Sequence, residues 1–167
     1  IIQDYLDYNF HQAFQKIHNY CANDLGGFYL DILKDRLYTS KQDSDARRSA
    51  QLALSNILQA LLRWISPILS FTAEEAWQSL DNEIKSVHLL EWFNDWVEVG
   101  DLKFSDADWK EILELRSEVN KHIEEARNNE IIGSSLDAEI EILCGDKLFN
   151  LFEEFNEELR FIFITSE

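Results

Sequence analysis

The sequence predicts a mainly α fold, an antiparallel helical bundle followed by a small β-α-β appendage. Three observations carry this reading. Apolar residues recur at steps of three and four through most of the chain; one Pro and five Gly leave few breaks; and after Gly133 the period falls to two. With 167 residues, 46% of them hydrophobic, the chain suits one domain with an appendage and can bury a core. The division is expected between residues 104 and 105, with the bundle and an irregular aromatic segment before it and a long helix plus α+β appendage after.

From Tyr5 to Leu25, Leu6, Phe10, Phe14, Ile17 and Cys21 mark one apolar face of a first helix. Gly26 and Gly27 supply the freedom of a helix end or kink. Phe28, Leu30, Ile32, Leu33 and Leu37 then build a second, short helix. Thr39 to Asp45 is a polar connection in which Ser44 or Asp45 caps a long third helix reaching Ile65, with Ala50, Leu54, Ile57, Leu58, Leu61 and Ile65 inward. Pro67 ends it.

Thr72 with Glu75 has the form of a capping box and opens a fourth helix that buries Ala76 and Leu80 and presents Trp77. Residues 81–104 have no clean period and read as a loop laying aromatics on the bundle. Ser105 and Asp108 open a fifth helix with Trp109, Ile112, Leu113, Val119 and Ile123 as its buried stripe, ending near Asn128 or Asn129. Leu136, Ala138, Ile140 and Ile142 alternate with acidic residues as a half-buried strand does. Asp146 to Leu159 is helical again, and Phe161 to Ile164 reads as a second strand.

A net charge of −17 and a pI of about 4.5 argue for solubility and against casual binding to nucleic acid or anionic membranes. The charge is uneven, however. Residues 27–66 hold six Lys or Arg against four Asp, whereas residues 67–167 hold eight against 25 acidic residues. This basic island is the expected contact surface. Screening over about 8 Å at physiological salt keeps the acidic remainder from repelling an anion on a separate face. The bland alternative pairs Lys34 and Arg36 with Asp31 or Asp35 and leaves Arg47 and Arg48 as helix decoration.

Motifs for catalysis or nucleotide binding are not found: no P-loop, G-x-G-x-x-G, H-E-x-x-H, EF-hand or G-x-S-x-G pattern occurs. His11 and His18 stand two turns apart, about 10 Å between Cα atoms, which suits one metal ion poorly. Glu74–Glu75, Glu124–Glu125 and Glu153–Glu154 read as solvated faces. Trp64, Trp77 and Trp109 fall on apolar stripes and read as core, while Trp92 and Trp96 in the irregular segment are open to base stacking. Cys21 and Cys144 read as buried free thiols, without metal spacing or a disulfide framework. No run of about 18 apolar residues and no signal-peptide pattern occurs, and a reducing cytoplasm fits. The chain opens on Ile and has no Met, which suggests a piece of a longer protein.

Three blocks carry a family resemblance: FYLDILKDRLYTSKQDSDARRSAQ, LLRWISPILSFTAEEAW and WKEILELRSEVNKHIEEARNNEIIGSSLDAEIEI. In this order they resemble the anticodon-binding helical region of class I aminoacyl-tRNA synthetases, most closely the bacterial isoleucyl enzymes. The similarity runs from about Tyr5 to Thr165. It implies contact with the anticodon stem-loop of isoleucine tRNA, for which the charge pattern offers Lys34, Arg36, Lys41, Arg47 and Arg48, at least some of them, with Lys121 and Arg127 as weaker candidates. It also implies a monomeric parent that uses ATP and Mg in a catalytic part outside these residues, where its HIGH and KMSKS-type sequences would lie. Zn would belong to parent segments outside this chain; no catalytic residue, metal or cofactor is expected within it. The alternatives are a valyl or leucyl relative, or an acidic helical scaffold that binds a protein partner through an exposed apolar patch.

Overall fold

The computed structural model describes residues 1–80, 84–96, 105–155 and 159–165, without the side chains of Asp35 and Leu136. The chain divides into two compact units, Ile1–Glu98 and Val99–Glu167. The boundary expected between residues 104 and 105 touches a stretch, 97–104, outside the described residues, as do residues 81–83 of the irregular segment.

In the first unit, α1 (Ile2–Leu6) and α2 (Phe10–Asn19) are separated by a turn in which Tyr8 takes φ 60°. From Phe10 the chain is helical to Tyr38, through a π-helical stretch, Tyr20–Tyr29, into α3 (Leu30–Tyr38). The two expected helices are thus one continuous rod, and Gly26 and Gly27 lie inside its wide turns. An added Cβ at Gly26 would stand 3.1 Å from the Cys21 carbonyl oxygen, whereas at Gly27 the nearest atom, the Ala22 oxygen, is 3.4 Å away.

The buried face of α2 is not the expected one. Ala13 and Ile17 are buried, while Leu6, Phe10 and Phe14 are exposed. The smaller Ala13 lets α2 lie close against its neighbours, which turns the flanking Phe rings toward solvent. Cys21 and Cys144 are free and only half-buried.

After a short connection, α4 (Asp45–Ile65) runs back against α3 and α2. Ser44 caps it, its Oγ accepting from the Arg47 amide at 3.4 Å. Ala50, Ala60 and Leu62 are buried on its inner face, and Leu58 is exposed. The chain turns at Pro67 as expected, but α5 (Ser70–Gln78) begins earlier than the sequence suggested. Thr72 is therefore inside the helix, and Leu69 at the N-cap offers no side-chain cap. Trp77 is core, as its place on an apolar stripe predicts: it is 3% exposed and packs with Leu62, Ala73 and Val87. The 3₁₀ turn Val87–Leu89 supplies Val87 to that core, and Phe93 is buried further along the segment.

Glu74 is not a solvated carboxylate. It accepts from Ser86 Oγ at 2.9 Å and from the Val87 amide at 3.1 Å, fastening the irregular segment to α5. Gln78 Nε2 also donates to it, at 2.8 Å, and these bonds hold its pKa below the ordinary carboxylate value.

In the second unit, α6 (Asp106–Asn128) starts with the expected capping box of Ser105 and Asp108. Ile112, Val119 and Ile123 are its buried stripe; Trp109 is half-buried and Leu113 exposed. α7 (Asp146–Phe155) buries Phe152, and α8 (Leu159–Phe163) buries Ile162 and Phe163. Arg116 Nε donates to the Ile162 carbonyl at 2.8 Å, joining α6 to α8.

The β-α-β appendage is not supported. Among the described residues no strand occurs: of Phe161 to Ile164, expected as the second strand, Phe161–Phe163 is helical and supplies no ladder partner. The alternation was nonetheless real. Ala138, Ile140 and Ile142 are half-buried and Glu139, Glu141 and Leu143 exposed, in a segment outside regular secondary structure that follows the 3₁₀ turn Ser135–Asp137.

Candidate nucleic-acid interface

The basic island folds into one corner of the first unit, where α3 ends, the chain crosses residues 39–44, and α4 begins. The local chemistry explains the corner. Ser44 donates from its backbone N at 3.1 Å and from Oγ at 2.9 Å to the Lys41 carbonyl, closing the turn that starts α4. Lys41 is exposed in that turn, and Arg48 is exposed one helical turn into α4.

Arg47 is half-buried. Its Nη1 donates to the Ser40 carbonyl at 3.3 Å, while Nε is enclosed with no partner among the described residues. A guanidinium held by one weak bond keeps most of its five donors available. Lys34 is exposed and bonds Asp31 at 2.6 Å, which raises its pKa. The bland pairing of Lys34 with Asp31 is therefore correct, although an exposed i, i+3 ion pair is cheap to exchange for another anion. Arg36 is half-buried on α3, and its charge acts on Tyr29, whose phenol is pushed up chiefly by burial.

One residue of this corner was not picked out from the sequence. Tyr38, the last residue of α3, is 82% exposed. It stands one turn beyond Lys34 and contributes to that lysine's field. The sequence signal for it is an aromatic inside the positive island. A ring beside cations can stack a base while the cations hold the backbone.

Lys121 and Arg127 lie on α6, in the second unit. Lys121 is exposed, and Arg127 Nη1 bonds Glu124 at 2.5 Å. The first five candidates lie in the first unit and these two in the second.

Of the tryptophans, Trp77 is buried, and Trp64, Trp92 and Trp109 are half-buried. Trp64 meets Tyr20 and Trp96, and Trp92 stacks on Tyr5 with ring centroids 5.4 Å apart. Arg63, also not picked out from the sequence, places its guanidinium carbon 5.4 Å from the ring centroids of both Trp77 and Phe93. No described helix is long and apolar enough to cross a membrane.

Residues 1–142 match the family model described as the anticodon-binding domain of tRNA ligase. The chain is 48% identical over 166 residues to an isoleucine–tRNA ligase of Acinetobacter baylyi, covering 99% of this chain and 18% of that protein. It is 48% identical over 169 residues to the isoleucine–tRNA ligase of Shewanella sp. strain ANA-3, and 46% over 168 residues to that of Legionella pneumophila, again covering 18% of each. The chain thus spans about a fifth of the length of these relatives.

Proposed function

Because the chain belongs to the anticodon-binding domain family of tRNA ligases, we propose that it is the part of an isoleucine–tRNA ligase that holds the anticodon stem-loop of isoleucine tRNA. The observation that carries this reading is the gathering of Lys34, Arg36, Lys41, Arg47 and Arg48 at one corner of a chain of net charge −17. Phosphates attract Lys and Arg regardless of sequence, so these residues position the RNA; bases are distinguished by stacking and edge contacts. Tyr38 adds a ring for that second task.

The intact ligase would activate isoleucine with ATP and Mg, transfer it to the tRNA and hydrolyse mischarged valine, in parts of the protein outside this chain. This domain decides which tRNA is presented. The exposed rings of Tyr8 and Phe10, 5.9 Å apart, support a contact with those other parts. We place the whole enzyme in the cytoplasm as a monomer, with Zn, where present, outside this chain.

The test is fluorescence anisotropy of the chain with an isoleucine anticodon stem-loop and with an anticodon-swapped one, from low to physiological salt. Binding that prefers the native anticodon and weakens with salt supports the reading. No binding of either RNA at low salt sinks it for this chain.

A further inference from the structure

At the far end of α4 from the basic corner lies a cavity of about 550 Å³ in the first unit, lined in part by Arg63, Ser66, Ser70, Glu91, Trp92 and Asn94. Sixteen residues of helix separate Arg47 from Arg63, about 24 Å at the α-helical rise, so the two places are distinct.

The lining is specific in chemistry. Arg63 is fixed, its Nη1 donating at 2.7 Å to both the carbonyl and the Oε1 of Gln59. Ser66 Oγ donates to the Arg63 carbonyl at 3.0 Å and Ser70 Oγ to the Ser66 carbonyl at 2.8 Å. Their protons are spent, so both hydroxyls face any newcomer as acceptors. Asn94 adds donors and an acceptor, and Glu91 a carboxylate. One guanidinium against one carboxylate on the wall, with the Asp95 carboxylate acting on the same guanidinium, leaves no net attraction for a phosphate. A neutral ligand with both donor and acceptor edges fits.

The shape adds flatness. Tyr5 covers Trp92 in a near-parallel stack, interplanar angle 24°, and an indole has two faces. We propose that this cavity takes one unpaired base of the RNA, stacked on the indole of Trp92, which lines it, opposite the Tyr5 stack, and edge-bonded by the serines, Asn94 and Glu91. The proposal rests on the RNA-binding reading above and adds to it a second contact, one for a base where the basic corner has backbone contacts. An RNA stem-loop is long enough to touch both.

The experiment uses anticodon stem-loops carrying 2-aminopurine at each loop position in turn, with the wild-type chain, Trp92→Leu, Asn94→Leu and the double charge reversal Arg47→Glu/Arg48→Glu. Stacking on Trp92 quenches 2-aminopurine at one position, and Trp92→Leu is expected to lose that quench and weaken binding about tenfold. Asn94 is exposed, so Asn94→Leu tests the same cavity without disturbing the Tyr5 stack, and is expected to weaken binding too. An abasic site at the quenched position should cost the wild type but not Trp92→Leu. If Trp92→Leu and Asn94→Leu bind as the wild type does while the charge reversal abolishes binding, the base site is wrong and the RNA-binding reading stands. Failure of the wild type to bind at all overturns both.

Discussion

Asp4 shows how a buried carboxylate depends on its partners, here Lys16 first and the Ile1 amino group, 3.3 Å away, second. It is buried, and Lys16 Nζ bonds both its oxygens, at 2.7 and 2.9 Å, clamping α1 to α2. That lysine bond, against the opposing cost of burial, holds the carboxyl below its ordinary value of 3.8. Glu74 is lowered by Gln78 and then by Ser86 and Val87, and Asp108 by Ser105 and Lys147. A depressed folded pKa gives stability that is present at neutral pH and lost as pH falls through the carboxylate range. The melting temperature is therefore expected to be level from pH 7 to 5 and to drop below about pH 4, with Lys16→Met flattening part of that drop in a calorimetric series. At the basic corner, Tyr38→Ala should weaken stem-loop binding by about 1–3 kcal/mol if its ring carries a base, and Tyr38→Phe should leave it unchanged. The run of five cations within residues 34–48 is visible in the sequence because charge is a local property. Glu74 could not, since its partners Ser86 and Val87 join it only through the turn after α5.

At the scale of elements, the helices that start with their own cap were the most legible. Ser44 and Ser105 each fix a helix start through bonds to residues within the next turn, information wholly local to the sequence. Ser105→Ala should destabilise the chain by about 0.5–2 kcal/mol in urea titration. Where packing decides, local pattern misled: α2 buries Ala13 rather than Phe10 and Phe14, and the last apolar run became α8 for want of a strand to pair with. The π-helical stretch reads in the sequence as the end of one helix and the start of the next, with its two glycines marking the join. They also make a paired test. Gly27→Ala meets only ordinary contact and should stabilise by up to about 1 kcal/mol through lost chain entropy. Gly26→Ala presses on the Cys21 carbonyl and should forfeit that gain, a difference readable in matched thermal melts.

For the molecule as a whole, the dominant fact is the imbalance of charge. Of 32 acidic residues, 25 lie beyond residue 66. Their mutual repulsion weakens with added salt, so the melting temperature should rise between about 10 and 150 mM NaCl, over the range where the screening length shortens from about 30 to 8 Å. RNA affinity should move in the opposite direction over the same range, because released counterions are its driving force. Opposite salt responses from one sample would separate folding from binding without any mutation. The excess of acidic residues beyond residue 66 is legible in the sequence because charge is counted residue by residue, whereas no Pro- or Gly-rich linker marks the division into the two compact units Ile1–Glu98 and Val99–Glu167.

The rod from Phe10 to Tyr38 also works as a dial. Each residue of an α-helix turns the chain by about 100°, so excising one residue from Tyr20–Tyr29 would not merely shorten the rod; it would swing everything beyond it around the axis. Lys34, Arg36 and Tyr38 sit on that far end. The wide turns thus set the compass bearing of the basic corner, and a relative with one residue more or fewer there would point its cations at a different side of the same bundle.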